Sequence, residues 1–460
     1  MVTSVPSNRK WLILLAVGIG TFMTALDASV VNVIRPVVRV SLRGNFASIE
    51  WVVTIYLLVL SGLLLSFGRL GDLRGHKFVY LAGFGVFVLG SALCGLSRTV
   101  TMLVAFRSLQ AVGAAMLAAN SPAILTKNFP GDQRGQALGL QAMMTYLGLV
   151  AGPSVGGWLA DAFGWRSVFY INVPVGSLAL WLSLRFIPND TRTWTGERFD
   201  LLGAGTFTLG LSALLLGLNQ GHTWGWNSAL ILSLLALAVV LLTIFVWIEL
   251  SIHSPMLDLR LFQHPVFSLS VAGAVLNYIC IYSVIFLMPE YLIDGRAMSS
   301  SRAGILLASQ SIVMAISAPF SGWLSDRIGV RLPGMVGMAV LSAGALMLSG
   351  LGVSSSNQSI ILALSVVGLG TGIFISPNNS ALMGSAPRRR QGVAAGMLAT
   401  ARSFGMVLGV GLAGAIYSTV LGNGHSLFEA TYTSFVVAAI IASLGIFTSM
   451  VRPSSKPSSK

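Results

Sequence analysis

Charge is scarce in this sequence. Only 9% of its 460 residues are Asp, Glu, Lys or Arg, against about a quarter in a soluble domain. Acids are the scarcest: 14 Asp and Glu face 28 Lys and Arg, and only five of those bases are lysine. The two cysteines, Cys94 and Cys280, both sit inside apolar runs, which excludes a disulfide framework and a zinc cluster. No G-x-x-x-x-G-K-[ST] phosphate loop is present, so ATP-driven pumping is excluded. No H-E-x-x-H occurs, the one G-x-S-x-G (Gly152-Pro153-Ser154-Val155-Gly156) lies inside an apolar run, and the five histidines lie in short connecting segments. No catalytic group or metal cluster suggests itself; the chain is read as a non-enzyme that needs no cofactor.

What remains is apolar: 55% hydrophobic residues and a mean hydropathy of +0.82. This is the composition of an integral membrane protein. A helix needs about 20 apolar residues to cross the hydrocarbon core. Fourteen such runs are found, at 11–34, 51–71, 78–97, 101–126, 136–160, 167–184, 201–218, 228–248, 266–289, 303–325, 332–352, 359–383, 392–417 and 430–451. They are continuous rather than alternating, which argues for an all-α protein and against a β-barrel. The first run follows Arg9 and Lys10 but contains Asp27 and lacks a small-x-small cleavage site, so it reads as an uncleaved span.

The net charge of +14 does not point to nucleic acid, because the bases are sorted by side. With the N-terminus inside, 19 Lys and Arg fall on cytoplasmic segments, seven on outer segments, and Arg107 and Arg402 lie within spans. The excess is cytoplasmic, so both termini are expected there. Anionic lipid contact is a secondary use of the same charges.

The chain also repeats itself loosely at an offset of about 254 residues. Gly68–Lys77 matches Gly322–Arg331, Asn120-Ser121-Pro122 parallels Ile375-Ser376-Pro377, and Arg134–Gly139 parallels Gln391–Gly396. Two parallel six-span halves are the mark of a transporter whose bundles rock about a midplane site. The expected organisation is an N-terminal bundle at 1–186, a linker with two extra spans at 187–265, and a C-terminal bundle with a short cytoplasmic tail at 266–460. The extra spans, 201–218 and 228–248, carry no charge and read as a lipid-facing pair outside the transport path.

Polar exceptions inside spans carry the chemistry. Asp27 lies in Leu26-Asp27-Ala28-Ser29-Val30-Val31-Asn32-Val33. A carboxylate there costs about 2.5–3.5 kcal/mol on insertion scales, and desolvation favours its neutral form. It is a candidate proton carrier, or an acid that ties helices together. Arg107 lies in Arg107-Ser108-Leu109-Gln110-Ala111-Val112-Gly113. A buried arginine needs a partner, and the one fully interior carboxylate is Asp27; the two are expected to lie near one another. In the Gly68–Lys77 loop, Asp72 can cap a helix N-terminus of the opposite half. There Arg74 and Lys77 can pair with acids or lipid phosphates, and Gly68 and Gly75 permit close packing and a tight turn. In span 5, Gly148, Gly152, Pro153, Gly156 and Gly157 make a flat, bendable seam.

These four runs resemble the fourteen-span drug:proton antiporters of the major facilitator superfamily, over nearly the whole chain. The matching patterns are L-D-x-T-x-V-N-V, R-x-x-Q-G-x-G, G-x-L-a-D-r-x-G-r-k and G-x-x-x-G-P-x-x-G-G, and Trp165–Pro174 is similar to W-R-W-I-F-x-I-N-x-P. Ala111, Leu73 and His76 depart from them. The resemblance implies a multi-pass protein of the bacterial cell (inner) membrane that exports amphipathic drugs or toxic organic compounds against protons. It further implies Asp27 with Arg107 in proton coupling, Gly68, Asp72, Arg74, Gly75 and Lys77 as a gate latch, and the span-5 glycines as an antiporter motif. An exporter or facilitator of one metabolite or self-made antibiotic fits the same pattern. Asn32, Gln110, Asn120, Asn277, Glu290, Asn378 and Arg402 are candidates for the substrate cavity, though helix–helix hydrogen bonding explains the asparagines equally well. The expected partners are a small amphipathic substrate, protons and membrane lipid, with the protein working as a monomer.

Overall fold

The computed structural model describes residues 7–44, 46–190, 199–252, 255–257, 259–298 and 300–451, without the side chains of 7, 8, 32, 33, 36, 46, 47, 50, 153, 219, 222, 223, 300 and 301. The side chain of Asn32 and the ring of Pro153 therefore lie outside the described residues.

The described residues form fifteen α-helices joined by short turns. The first half holds α1 (Ser7–Ser41), α2 (Phe46–Arg74), α3 (His76–Leu96), α4 (Val100–Asn128), α5 (Arg134–Phe163), α6 (Ser167–Tyr170) and α7 (Asn172–Phe186). Next come α8 (Leu201–Trp224) and α9 (Ala229–Ser251). The second half holds α10 (Pro265–Pro289), α11 (Ser300–Ile328), α12 (Arg331–Ser349), α13 (Asn357–Ser385), α14 (Gln391–Gly422) and α15 (Leu427–Met450). Helix is the form in which an apolar segment satisfies its own backbone inside lipid. Thirteen helices are long and apolar enough to cross a membrane. The fourteenth crossing is α5, which bends by 43° between Gly152 and Ser154. That is the position at which Pro153 cannot donate its helical hydrogen bond. Short polar side chains start several spans: Thr99, Ser228 and Ser356 cap α4, α9 and α13, and Ser426 with Glu429 forms a capping box on α15.

Within the first half α1 packs on α5, and α4 on α2 and α3; within the second, α10 packs on α14, and α13 on α11 and α12. The halves meet where α5 lies along α11 and α2 along α14. Lipid tails are as apolar as leucine, so helices associate in a membrane by close packing of small residues. At the α2–α14 crossing, a Cβ on Gly68 would stand 2.2 Å from the Gly392 carbonyl oxygen, and one on Gly392 2.0 Å from that of Gly68. The α11–α5 crossing repeats this with Gly322 and Gly135, at 2.2 Å from the Gly135 oxygen and 2.5 Å from the Gly322 oxygen.

The same two places are capped across the seam. Asp72, at the end of α2, accepts from the backbone N–H of Gly392 (2.8 Å) and Val393 (2.9 Å), the first turn of α14. Asp326, at the end of α11, accepts from Gly135 (2.8 Å) and Gln136 (2.9 Å), the first turn of α5. Each carboxylate takes two otherwise orphaned donors and faces the positive end of the helix dipole. Gly75 and Gly329 follow these acids with φ of +98° and +85°, a backbone region that disfavours side chains. The internal repeat is thus a structural two-fold, and by the sorting of the bases it closes the cytoplasmic side.

One expectation needs correction. The extra helices are not a lipid-facing pair. Along most of its length α9 is exposed, with Val239, Trp247 and Leu250 among its exposed side chains. By contrast α8 exposes one face, with Leu201, Leu202 and Leu209, and packs the other against α2 and α14, burying Phe207, Leu211 and Leu215 and donating from the Thr208 hydroxyl to the Gly62 carbonyl at 3.0 Å. Glu249, near the end of α9, is buried, and one of its oxygens accepts from the Leu257 N–H at 3.1 Å.

Removing both seam caps tests their contribution. Each N-cap is worth about 1 kcal/mol, so Asp72→Ala with Asp326→Ala should shift the closed-to-open balance roughly 25-fold. The expected readout is faster maleimide labelling, from the cytoplasmic face, of a cysteine placed at buried Ala395. Unchanged labelling would mean the caps do not hold the seam.

Candidate functional site

Asp27 sits on the face of α1 that meets α4, with none of its surface exposed. Arg107 and Gln110 are one turn apart on α4 and present the same face to it. The Arg107 Nη1 donates to Asp27 Oδ2 at 2.7 Å, and Gln110 Nε2 donates to Asp27 Oδ1 at 2.9 Å. Asn172, at the first position of α7, donates to the same Oδ1 at 2.9 Å. Three donors from two other helices thus converge on one buried carboxylate. The donors are themselves tied. Arg107 Nη1 also donates to Gln110 Oε1 (2.6 Å), and Gln110 Nε2 to the Ser91 hydroxyl of α3 (2.6 Å). The guanidinium lies 4.1 Å from the centre of the Tyr56 ring and 5.8 Å from that of Phe169, so the rest of its charge rests on π-faces.

The arrangement is electrically balanced and dry. One negative charge meets one positive charge, and both carboxylate oxygens are occupied. Buried Leu26, Val30, Ile34, Val52, Leu103 and Phe169 belong to an apolar cluster around and beyond it towards the outer surface. An ion pair in such surroundings persists only while its geometry is kept; removing either partner leaves a stranded charge. The carboxylate can accept a proton, and once neutral it no longer holds Arg107.

Three of the span-5 glycines lie against the stretch of α1 that bears this acid. A Cβ on Gly148 would stand 2.6 Å from the Phe22 carbonyl oxygen, on Gly152 1.8 Å from Ser29 Oγ, and on Gly156 2.0 Å from a Val30 methyl. The stripe at every fourth residue therefore fits the α1 segment that bears Asp27. Gly157 faces open space, with nothing within 4 Å of its Cβ position, and takes no part in the stripe.

Several cavity candidates lie elsewhere. Gln110 is wholly buried in the Asp27 cluster. Asn120 belongs to the seam: its Oδ1 is 2.8 Å from Nδ1 of buried His76, whose Nε2 is 3.4 Å from Asp72, and its amide donates to Phe67 and Met116 carbonyls. His76 therefore joins the latch from a position that is basic in the resembling motif. Asn277 is buried inside the second bundle, 3.7 Å from the Met338 sulfur. Asn378 is buried against α10 and donates to the Ser270 carbonyl. Glu290 starts a π-helical turn at the outer end of α10, beside Asp294. Arg74 is exposed, whereas Lys77 ties α3 to α7, its ammonium donating to the Leu184 carbonyl at 3.2 Å and its backbone N–H to Asp190 at 3.0 Å.

Among the described candidates outside the seam, Arg402 lies where the halves face one another. It lies half-buried on α14 beside Tyr278 and Tyr282 of α10 and Tyr146 of α5. The tyrosines, and Asn172, Ser91 and Tyr56 at Asp27, are functional-site residues that sequence reasoning missed. Asn172 falls within the Trp165–Pro174 stretch, which could have flagged it. The tyrosines had no signal, because nothing in the sequence distinguishes them from packing aromatics.

The family model for the Major Facilitator Superfamily matches residues 17–275 and 270–460. The chain is 32% identical over 442 residues to the riboflavin transporter RibZ of Clostridioides difficile, covering 94% of this chain and 93% of that protein. It is 32% identical over 419 residues to the multidrug resistance protein Stp of Mycobacterium tuberculosis, and 31% identical over 419 residues to the tetracenomycin C resistance and export protein of Streptomyces glaucescens; each match covers 90% of this chain and 77% of the relative. Among solved structures, the proton:xylose symporter XylE (TM-score 0.69, covering 96% of this chain and 95% of that one) and the human organic anion transporter MFSD10 (TM-score 0.68, 97% and 100%) share the fold at 14% identity. The chain belongs to the major facilitator superfamily of transporters and is a multi-pass protein of the bacterial inner membrane.

Two predictions follow from the packing. Arg107→Ala should strand the Asp27 charge and destabilise the purified protein by about 3–5 kcal/mol, and adding Asp27→Asn should recover much of that loss in a thermal melt. Strictly additive losses would mean the two residues do not act as a pair. Gly152→Val should abolish folding or transport, while Gly157→Ala should leave the melting temperature and transport near wild type; equal damage from both would contradict the stripe.

Proposed function

We propose that this chain is a proton-coupled antiporter that exports amphipathic organic compounds by alternating access. The observation that carries the reading is Asp27: a carboxylate in mid-bundle, saturated by Arg107, Gln110 and Asn172 and closed off from bulk water. An intramembrane acid of this kind marks a proton path by default. The relatives named for multidrug resistance and for tetracenomycin C export support the export direction.

In the proposed cycle, the state described above has its cytoplasmic seam shut. A proton from outside neutralises Asp27 and removes the attraction that holds Arg107. The guanidinium keeps its contacts to Gln110 and the Tyr56 ring, while α1 is freed to shift along the glycine face of α5. The seam at Asp72 and Asp326 then opens, substrate enters from the cytoplasm or inner leaflet, and Asp27 releases its proton inward. Re-formation of the pair restores the closed seam and delivers substrate outward. No resident cofactor enters; the proton is the coupling ion.

A second reading, export or facilitation of one metabolite, draws on the riboflavin transporter, which this chain matches over 93% of that protein's length, against 77% for the two drug-export relatives. As an exporter it would share the coupling step and differ in the range of compounds moved; as a facilitator it would lack that step.

The test is transport in reconstituted vesicles under an imposed pH gradient. Wild type should accumulate substrate against its gradient, and Asp27→Asn should lose at least about tenfold of that uphill rate. Uphill transport undiminished in Asp27→Asn would remove the proton-coupling role.

A further inference from the structure

Arg402 is a cation that no described carboxylate answers. It sits within α14, a span with no Asp or Glu, and α10 and α13 contain none either. In the first half α4 has no acid, and the sole acid of α5, Asp161, lies two residues from the helix's outer end; α8 has none either. Asp27 is engaged by Arg107, and Asp72 and Asp326 by the seam. Among the described residues no carboxylate pairs with Arg402. An unpaired arginine in a membrane interior is expensive and marks a site for a ligand by default.

Its surroundings are aromatic and come from both halves. Tyr278 and Tyr282 lie one turn apart on α10, with ring centres 6.5 Å apart. Tyr278 lies beside both Arg402 and Tyr146, and Tyr146 belongs to an apolar cluster that joins α5 to α10, α11 and α13. At this level α10 and α14 approach closely, since a Cβ on Gly405 would stand 2.8 Å from that of Tyr278. The polar equipment is therefore one guanidinium and three phenols, all able to donate, set among flat apolar faces. A guanidinium accepts carboxylates and other oxyanions in a bidentate fork, and tyrosine rings take planar aromatic surface.

We infer that Arg402 and the three tyrosines form the substrate site, and that it takes planar aromatic organic anions in preference to cations. The inference rests on the transporter reading above and adds the charge class to it. Rocking the halves would separate Tyr146 from Tyr278, so a substrate bridging them is released when the site opens to the far side.

The experiment measures binding to the full-length protein in nanodiscs by dye anisotropy. The probes are fluorescein, an anion, and rhodamine 123, a cation of the same ring size. Fluorescein should bind about tenfold tighter or more, as expected for a charge-assisted hydrogen-bonded pair. Arg402→Gln should erase that preference by weakening fluorescein without weakening rhodamine 123, Arg402→Lys should keep part of it, and Tyr278→Phe should weaken fluorescein a few-fold. Thermal melts near wild type show that the variants fold; should Arg402→Gln not fold, Arg402→Lys and Tyr278→Phe carry the comparison. Tighter rhodamine 123 binding, no fluorescein binding, or fluorescein affinity indifferent to these substitutions would each overturn the inference. The outcomes separate it from antiport: dye efflux driven by a pH gradient without preference for the anion sinks the charge class alone. Fluorescein held through Arg402 but never moved by a pH gradient sinks the coupling and keeps the site.

Discussion

A full charge in the hydrocarbon layer has to be answered by another charge or by a complete set of hydrogen bonds, because no water is there to do it. The Asp27–Arg107 pair is the place where this constraint organises the first bundle. Gln110, Asn172 and Ser91 extend the pair over α1, α3, α4 and α7, and Tyr56 of α2 covers the guanidinium. The glycine stripe of α5 brings a smooth face against the same stretch of α1. Five long helices are thus positioned with respect to one side chain whose charge can change by a single proton. A structural tether needs the same contacts, and what makes the pair suitable for more is that neutralising it costs the structure its strongest reason for that arrangement.

The two halves share their packing but not their chemistry. Gly83 and Gly113 at the α3–α4 crossing correspond to Gly337 and Gly370 at the α12–α13 crossing, and Gly90 against Gln110 corresponds to Gly344 against Val367. Gly148 under Phe22 and Ala25 corresponds to Gly405 under Val275 and Tyr278. This correspondence sets Asp27 opposite Cys280, Arg107 opposite Leu364, and Gln110 opposite Val367. The seam caps, by contrast, are present in both copies with nearly equal distances. A two-fold gate needs both copies to close one side of the membrane. The buried ion pair occurs in one copy only, and a second would add desolvation cost. The second half instead contributes Arg402 and two of the tyrosines that meet Tyr146, so the ion pair and the proposed substrate contacts lie in different bundles.

Much of this was legible in the sequence. Continuous apolar runs determined an all-α membrane protein, because lipid permits no other use of such segments. The sorting of arginines and lysines determined orientation, and the repeat of Gly68–Lys77 in Gly322–Arg331 located both sides of the seam. Scarcity singled out Asp27 and Arg107, since a chain with one interior acid offers a buried arginine few choices. Tertiary structure alone decided the rest. Sequence cannot tell which way a polar residue turns on a helix surrounded by apolar neighbours, so Asn120, Asn277 and Asn378 read equally as cavity or helix-packing residues, and helix rotation buries them in seam or bundle. Nor can it show that Asn172 completes the Asp27 shell, that α8 wedges against α2 and α14, or that Tyr146 meets Tyr278 beside Arg402. Those facts depend on which helix faces come together, and inside a membrane that is settled by the close fit of small residues rather than by hydrophobic pattern, which is the same on every side.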